Sequence, residues 1–293
     1  MRARSRERRA FTTAMTIALA DADLAHEVTR NSWYHTFELP GGVVTPGYYD
    51  LRQVAAKVLP ASLRGKRCLD AASCDGFWAF EMATRGAAEV VAIDLADPAE
   101  RDWQGVTDDP QSRRRDLGRS AWAFSIVRDA TGLDVERLDL SLYDVSPEVL
   151  GTFDFVFLGS VLLHLRDPAA ALAALRTVVA RDGGEFLSFE EISLPLSVLA
   201  RRRPMASLWH KDESRWWTAN MAGHRRLVRA AGFDIVDSGG PLFQPFGGFF
   251  PRRPPRVPRR PSELYFWTVT RRVGAPSAWV LARPNPASFL PQT

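Results

Sequence analysis

The chain has 293 residues, of which 46% are apolar and 25% charged, with a formal net charge of +4. That balance is ordinary for a globular protein and supplies a sizeable core. Two cysteines, both in or beside one turn, support neither a disulfide framework nor a zinc site. No run approaches the ~18 consecutive apolar residues of a membrane span.

Residues 1–30 read as a basic arm ending in a short helix over Leu24 to Val28. Within it Arg8, Arg9 and Phe11, followed by TTAMTIALA, imitate a twin-arginine export signal. Asp21 and Asp23 break the apolar stretch early, so the expected location is cytoplasmic. Residues 31–60 form an aromatic segment, WYHTFELPGGVVTPGYYDLR from Trp33 to Arg52, whose paired glycines and prolines forbid a long regular element. It is expected to pack as a lid or substrate wall, with Trp33 and Tyr34 facing substrate, or as a strap over a sheet edge. Helical spacing over Leu51 to Leu59 closes the segment.

The rest of the chain, 61–293, alternates strand and helix. CLDAASCDGFWAF (Cys68 to Phe80) is a strand from Arg67 to Ala71, a tight turn through Ala72, Ser73 and Cys74 into Gly76, and a helix start. A second apolar run ends in Asp94, eighteen residues after Gly76, close to the ~20-residue spacing of an acid that grips a ribose diol. A pyrophosphate demands glycines, because the backbone must approach it closely. Here Ala72 and Cys74 stand where two would be, which argues against a nicotinamide dinucleotide. A cofactor with an amino-acid tail tolerates them, and S-adenosylmethionine is one: Asp70 can meet its ammonium, the turn amides its carboxylate and Asp94 its ribose.

Beyond Asp94 the chain passes through a polar loop, Ala96 to Trp103, and an arginine-rich exposed stretch, Pro110 to Gly118. A helix is expected over Trp122 to Thr131, strands over Val135 to Leu142, Phe153 to Gly159 and Glu185 to Glu190, and a helix over Asp167 to Val179. Residues 192–217 form a substrate-side insertion without clear period. A helix from Met221 to Ala231 and a strand from Phe233 to Asp237 follow, then a second insertion, 239–272. This is expected to be a glycine- and proline-rich exposed loop with an added strand at Tyr265 to Thr270. Ser277 to Ala282 fits a last, antiparallel strand. The alternation calls for a mainly parallel, seven-stranded sheet with helices on both faces, its ligands lying beyond the carboxyl ends of the strands.

The sequence resembles class I S-adenosylmethionine-dependent methyltransferases, and among them the tRNA wobble-uridine group. The resemblance runs from Trp33 to Phe233 and is carried by the aromatic segment, by LDAASCDGFWAFEM (Leu69 to Met82), by LGSVLLHLRDP (Leu158 to Pro168), and by WWTAN (Trp216 to Asn220) with RAAGF (Arg229 to Phe233). It implies a Rossmann-like fold, S-adenosylmethionine as donor, Leu95, Leu142 and Tyr143 beside the adenine, and Gly159 admitting the methionine portion. The wobble-uridine enzymes use a carboxylated donor, and a tyrosine precedes their residue matching His164. Here Leu163 stands there, which favours the ordinary donor.

Trp103, Trp216 and Trp217 are available for stacking on a flat substrate, and Asn220 closes the WWTAN stretch. His35 and His164 are the candidates for proton removal, with Glu190 behind them. His210 and His224 have weaker context, and Trp78 and Phe80 read as core. Arginines cluster at Arg2 to Arg9, Arg113 to Arg115, Arg201 to Arg203 and Arg252 to Arg260. Such clusters suit phosphates or RNA, but no RNA-binding module accompanies them. A small aromatic or natural-product-like acceptor is therefore preferred to tRNA.

Overall fold

The computed structural model describes residues 21–97, 100–102, 110–208, 215–250, 261–270 and 273–289. In chain order, α1 (Asp21–Arg30) and α2 (Arg52–Val58) precede β1 (Arg67–Ala71), α3 (Phe77–Thr84) and β2 (Glu89–Asp94). Next come α4 (Pro110–Thr131), β3 (Glu136–Asp139), the single turn α5 (Pro147–Leu150), β4 (Phe155–Gly159), α6 (Pro168–Val178) and β5 (Glu185–Glu191). The chain then forms α7 (Leu194–Leu199), β6 (Ala206–Leu208), β7 (Trp217–Ala219), α8 (Met221–Ala230), β8 (Phe233–Pro245), α9 (Pro261–Thr270) and β9 (Gly274–Pro284).

Seven strands make one sheet in the order β3-β2-β1-β4-β5-β9-β8. β1 pairs in parallel with β2 and β4, and β9 runs antiparallel between β5 and β8. Period-two alternation sorts each strand's side chains to two faces. Cys68, Val90, Ala92, Phe155, Phe157, Leu187 and Phe189 point to one core, shared with α2, α3 and α4. Leu69, Ala71, Val91, Ile93, Val156, Leu158 and Phe186 point to the other, under α6 and α8. With both faces covered, the central strands read as nearly continuous apolar runs. Each buried phenylalanine contributes up to about 3 kcal/mol.

The helix over α6 begins where Asp167 accepts a hydrogen bond from the Ala170 amide and Pro168 takes the first turn. Four expectations need correction. Pro110 to Gly118 is not separate from the helix expected at Trp122 to Thr131 but forms the first half of α4. Residues 239–245 are not loop, because β8 continues past Gly239 to pair Leu242 through Pro245 with Ser277 through Gly274. The expected strand at Tyr265 to Thr270 is the helix α9, where a proline-led start outweighs the strand preference of its aromatic and β-branched residues. The insertion at 192–217 carries α7 and the strand β6, which pairs with β7. The arginines of residues 1–9 and 252–260, together with Trp103 and His210, lie outside the described residues. Among those described, no helix is long and apolar enough to cross a membrane.

The aromatic segment crosses the carboxyl end of the sheet. Thr36 N donates to Tyr49 O at 2.9 Å, Asp50 N to Pro245 O at 2.9 Å and Gly247 N to Tyr48 O at 2.6 Å. The segment is thereby stitched to the end of β8. Gly47 permits this, since a Cβ there would lie 2.3 Å from the His35 carbonyl carbon.

Candidate functional site

The turn after β1 is built by backbone and carboxylates together. Ser73 N donates to Ile93 O at 2.9 Å, Cys74 N to Asp94 Oδ2 at 2.7 Å, and Gly76 N to Ser73 O at 2.8 Å. Gly76 has φ 85°, and a Cβ there would meet the Phe124 ring at 2.4 Å. Ala72 (φ 62°) and Cys74 (φ 54°) also adopt left-handed backbone. The turn therefore keeps glycine's conformation at both positions that lack glycine, at about 1–2 kcal/mol each.

A cavity of about 470 Å³ opens between this turn, the ends of β2 and β4, and the aromatic strap. Of the residues singled out from the sequence, Ala72, Ser73, Cys74, Asp94, Leu95, Leu142, Tyr143, Gly159, Trp33, Tyr34, His35 and His164 line it. Asp94 gives each carboxylate oxygen one backbone partner, Cys74 N at 2.7 Å and Leu95 N at 2.8 Å, which leaves lone pairs for further donors. Gly159 borders the cavity, but the space its Cβ would take belongs to Phe157, 2.7 Å away, and to Trp78. Its smallness thus serves internal packing as well. Trp33 packs its ring on Phe37 and Trp122 and donates Nε1 to Val28 O at 3.0 Å, so it borders the cavity from the core side.

Six candidates lie off the wall. Asp70 is buried behind the turn and accepts from Ala79 N at 3.0 Å. Burial pushes its carboxyl up to about 8, and the nearby Asp94 and Asp75 reinforce the shift against the Ala79 bond. Gly76 sits one residue beyond the wall. Glu190, assigned to proton removal from sequence, turns its carboxylate to the Leu162 amide at 3.1 Å and the Val161 amide at 3.4 Å. Burial holds that carboxyl well above the usual range against those two bonds. Its observed contacts hold the loop after β4. Asn220, assigned to substrate, caps α8, accepting from Gly223 N and Met205 N, while the two hydrogens of its amide nitrogen are shared among the Leu196, Ala200 and Arg203 carbonyls. Trp216 donates Nε1 to Asp102 O at 2.8 Å and Trp217 donates to Leu162 O at 3.0 Å, so the pair buttresses the wall from outside. His224 bonds Ser188 at 2.9 Å inside the fold, and burial lowers its imidazole to about 3.

Sequence reasoning missed Asp75. Its Oδ2 accepts from the Tyr34 and His35 amides at 3.1 and 2.8 Å, and its Oδ1 meets His35 Nδ1 at 2.5 Å. It also missed Gln244, which donates to Ser160 Oγ at 2.9 Å and Ser277 Oγ at 2.7 Å from the cavity wall. Asp102, another wall residue, accepts from the Tyr143 hydroxyl and from Arg166 N at 2.8 Å. Burial opposes ionisation of Asp102, but these bonds and the Arg166 guanidinium hold it below the usual carboxylate value. Neighbours in sequence gave a signal only for Asp75, a charged residue inside a turn of small ones.

Two observations describe what the turn can hold. Ser73 Oγ is buried without a hydrogen-bond partner and borders the cavity, as a site awaiting a polar ligand atom would leave it. Three carboxylates, Asp70, Asp75 and Asp94, gather around the turn with Arg137 3.9 Å from Asp94. A positively charged ligand with its own hydrogen-bonding groups fits that donor and acceptor set. Among the described residues no three His, Cys, Asp or Glu side chains are placed to hold a metal ion together.

The family model described as a methyltransferase domain matches residues 47–238. The ubiquinone biosynthesis O-methyltransferase of Xanthomonas axonopodis pv. citri (strain 306) is 28% identical over 204 residues, covering 67% of this chain and 73% of that protein. The enzyme of the same name from Neisseria meningitidis serogroup C is 28% identical over 186 residues, covering 61% and 68%. Among solved structures, the N-terminal domain of EvdMO1 in the presence of SAH and D-fucose superposes with a TM-score of 0.55 at 13% identity, covering 92% of this chain and 99% of that one. That likeness carries the fold.

Proposed function

The chain belongs to the methyltransferase-domain family and uses S-adenosylmethionine, and from that premise we propose that it methylates a small molecule rather than tRNA. The observation that carries this reading is one continuous cavity that joins the β1 turn and Asp94 to His35 and His164 beneath the strap. In this assignment Asp94 accepts from the ribose hydroxyls, Ser73 Oγ, the buried hydroxyl without a partner, meets the carboxylate, and Asp70 stands behind the turn on the side of the cationic end. Leu95, Leu142 and Tyr143 flank the adenine. His35 and His164 face the acceptor, and the strap excludes water there.

The bound cofactor supplies an activated methyl on a sulfonium, so the residues' work is positioning, water exclusion and, where the acceptor needs it, proton removal. The curated relatives carry names of O-methyltransferases of a biosynthetic small molecule, which supports the same acceptor size. Calorimetry with S-adenosylhomocysteine tests the cofactor half. Filter binding to total tRNA over a salt series tests the acceptor half. A tight complex that weakens steeply with salt identifies phosphate-driven binding and reverses the preference for a small molecule.

A further inference from the structure

His35 and Asp75 come from parts of the chain 40 residues apart and meet at the cavity, both buried. The carboxylate does two jobs at once. Through Oδ2 it holds the Tyr34 and His35 amides, fixing the strap's backbone, and through Oδ1 it engages the ring at Nδ1. An ionised carboxylate only accepts, so the Nδ1 atom facing it carries the hydrogen. That leaves Nε2 as the lone-pair nitrogen, and among the described residues it has no hydrogen-bond partner. A ring held in this way is an acceptor of protons in a fixed place.

We propose that Asp75 is a positioning residue that keeps His35 in the Nδ1–H tautomer, so that Nε2 removes the proton of a phenol-type hydroxyl, which is the acceptor class of this site. The proposal rests on the methyltransferase reading above and narrows its substrate. A neutral amine attacks with its own lone pair and sheds its proton afterwards, so a nitrogen acceptor gives a buried base little to do before the bond forms. A hydroxyl must lose its proton as the bond forms. A phenol near ~10 gives up its proton far more readily than a water-like hydroxyl near ~15.7, so it makes the smaller demand on an imidazole base. The mouth of the cavity agrees, because the Tyr34 and Tyr48 rings stand nearly parallel there, 16° apart in plane with centroids at 6.3 Å. Both are partly exposed and offer faces to a flat ring.

In the step, the acceptor oxygen forms the new O–CH3 bond while the methyl–sulfur bond breaks and leaves its electron pair on sulfur. The acceptor's proton passes to His35 Nε2, the resulting imidazolium is paired with Asp75, and the proton leaves to solvent after product release. No further reactant is needed.

Two measurements on the full chain test this. The first is the nitrogen-15 tautomer signature of His35 in the wild type and in Asp75→Asn. The asparagine can still offer its carbonyl oxygen to the two strap amides, while its NH2 faces Nδ1 and favours the opposite tautomer. We expect Nδ1–H in the wild type and Nε2–H in the variant. The second is methyl transfer to ring-matched phenols and anilines, with total tRNA as a third substrate and S-adenosylhomocysteine affinity measured alongside. Expected are methylation of phenols at oxygen, a fall in kcat of at least ~10²-fold in both Asp75→Asn and His35→Gln, loss of the acid limb of the pH–rate profile in His35→Gln, and S-adenosylhomocysteine binding within about threefold of wild type.

A wild-type Nε2–H tautomer overturns the proposal. A full rate in Asp75→Asn beside a dead His35→Gln removes the role of Asp75 and leaves His35 as base. Methylation of anilines or tRNA but of no phenol, or full rates in both variants, overturns the acceptor class. The cofactor reading is untouched by these outcomes and fails only if S-adenosylhomocysteine does not bind.

Discussion

The turn after β1 and the aromatic strap face each other across one cavity, and they are anchored at different distances along the chain. The turn closes on itself and on the neighbouring strand, through Ser73, Gly76, Ile93 and Asp94. The strap folds back on itself, with Tyr48 N donating to Trp33 O, Tyr49 N to Tyr34 O and Thr45 N to Phe37 O, and it is fixed to the rest of the fold by Asp75 at one side and by residues 245–249 at the other. A local motif can be moved between proteins with its geometry intact. A strap of this kind has a position only in the finished fold, so it is where members of one fold can differ in acceptor while sharing a cofactor. If that contrast is right, damage to the strap spares the turn.

Gly47→Ala tests this most severely. The added Cβ would meet His35 backbone at 2.3 Å, and backbone cannot swing aside as a long side chain would. We expect a loss of about 3 kcal/mol in urea unfolding and loss of methyl transfer, with S-adenosylhomocysteine affinity within about threefold of wild type. A variant that loses both functions together would mean that strap and turn are one cooperative unit.

Asp70 gives the turn a pH signature of its own. Folded, its carboxyl holds its proton up to about 8, whereas unfolded it releases it above ~3.9. Between those values the unfolded state binds fewer protons, so stability falls as pH rises, by up to about 1.4 kcal/mol per pH unit for this group, and levels off above 8. Asp70→Asn keeps an acceptor for the Ala79 amide and removes the titration. The variant should gain on the wild type steadily from pH 5 to 8 in denaturant midpoints. Parallel curves for the two proteins would show that Asp70 ionises normally.

Asp94→Ala should weaken S-adenosylhomocysteine binding by at least ~1 kcal/mol, about fivefold, the scale of one lost charge-assisted hydrogen bond. It also strips an acceptor from Cys74 N and Leu95 N, so the thermal midpoint should drop with it. Unchanged affinity in calorimetry would remove Asp94 from the cofactor site.

The same contrast explains what could be read before the fold was seen. Strands β1, β2, β4 and β5 are apolar runs bounded by turn formers, and the carboxylate at Asp94 stands out because a charged residue ends such a run. Each of these signals is local to its own stretch of sequence. Glu190 and Asn220 lie off the cavity wall for a reason the sequence hides: a polar residue at the end of a strand or the start of a helix looks alike whether it faces a ligand or the backbone. Only the amides of Val161 and Leu162, and the carbonyls of Leu196, Ala200 and Arg203, decide the matter. Asp75 and Gln244 escaped because their partners are distant in sequence. Gln244 also lay in a stretch whose glycines and prolines suggested loop, although β8 absorbs them around an irregular register between Gly239 and Leu242.

The smallest effect concerns the turn's missing glycines. Ala to Gly usually costs about 0.5–1 kcal/mol within a regular element, because glycine loses more freedom on folding. At Ala72 the native φ of 62° is already costly for alanine, by about 1–2 kcal/mol. Relief of that strain offsets the entropy and the loss of one partly buried methyl. Ala72→Gly should therefore change stability by between zero and about +1 kcal/mol, while Ala79→Gly, in the buried face of α3, should cost at least ~1 kcal/mol. Urea midpoints at one pH compare the two directly. Equal losses would mean that the left-handed backbone at Ala72 carries no strain, and that the departure from glycine in this turn cost the protein nothing.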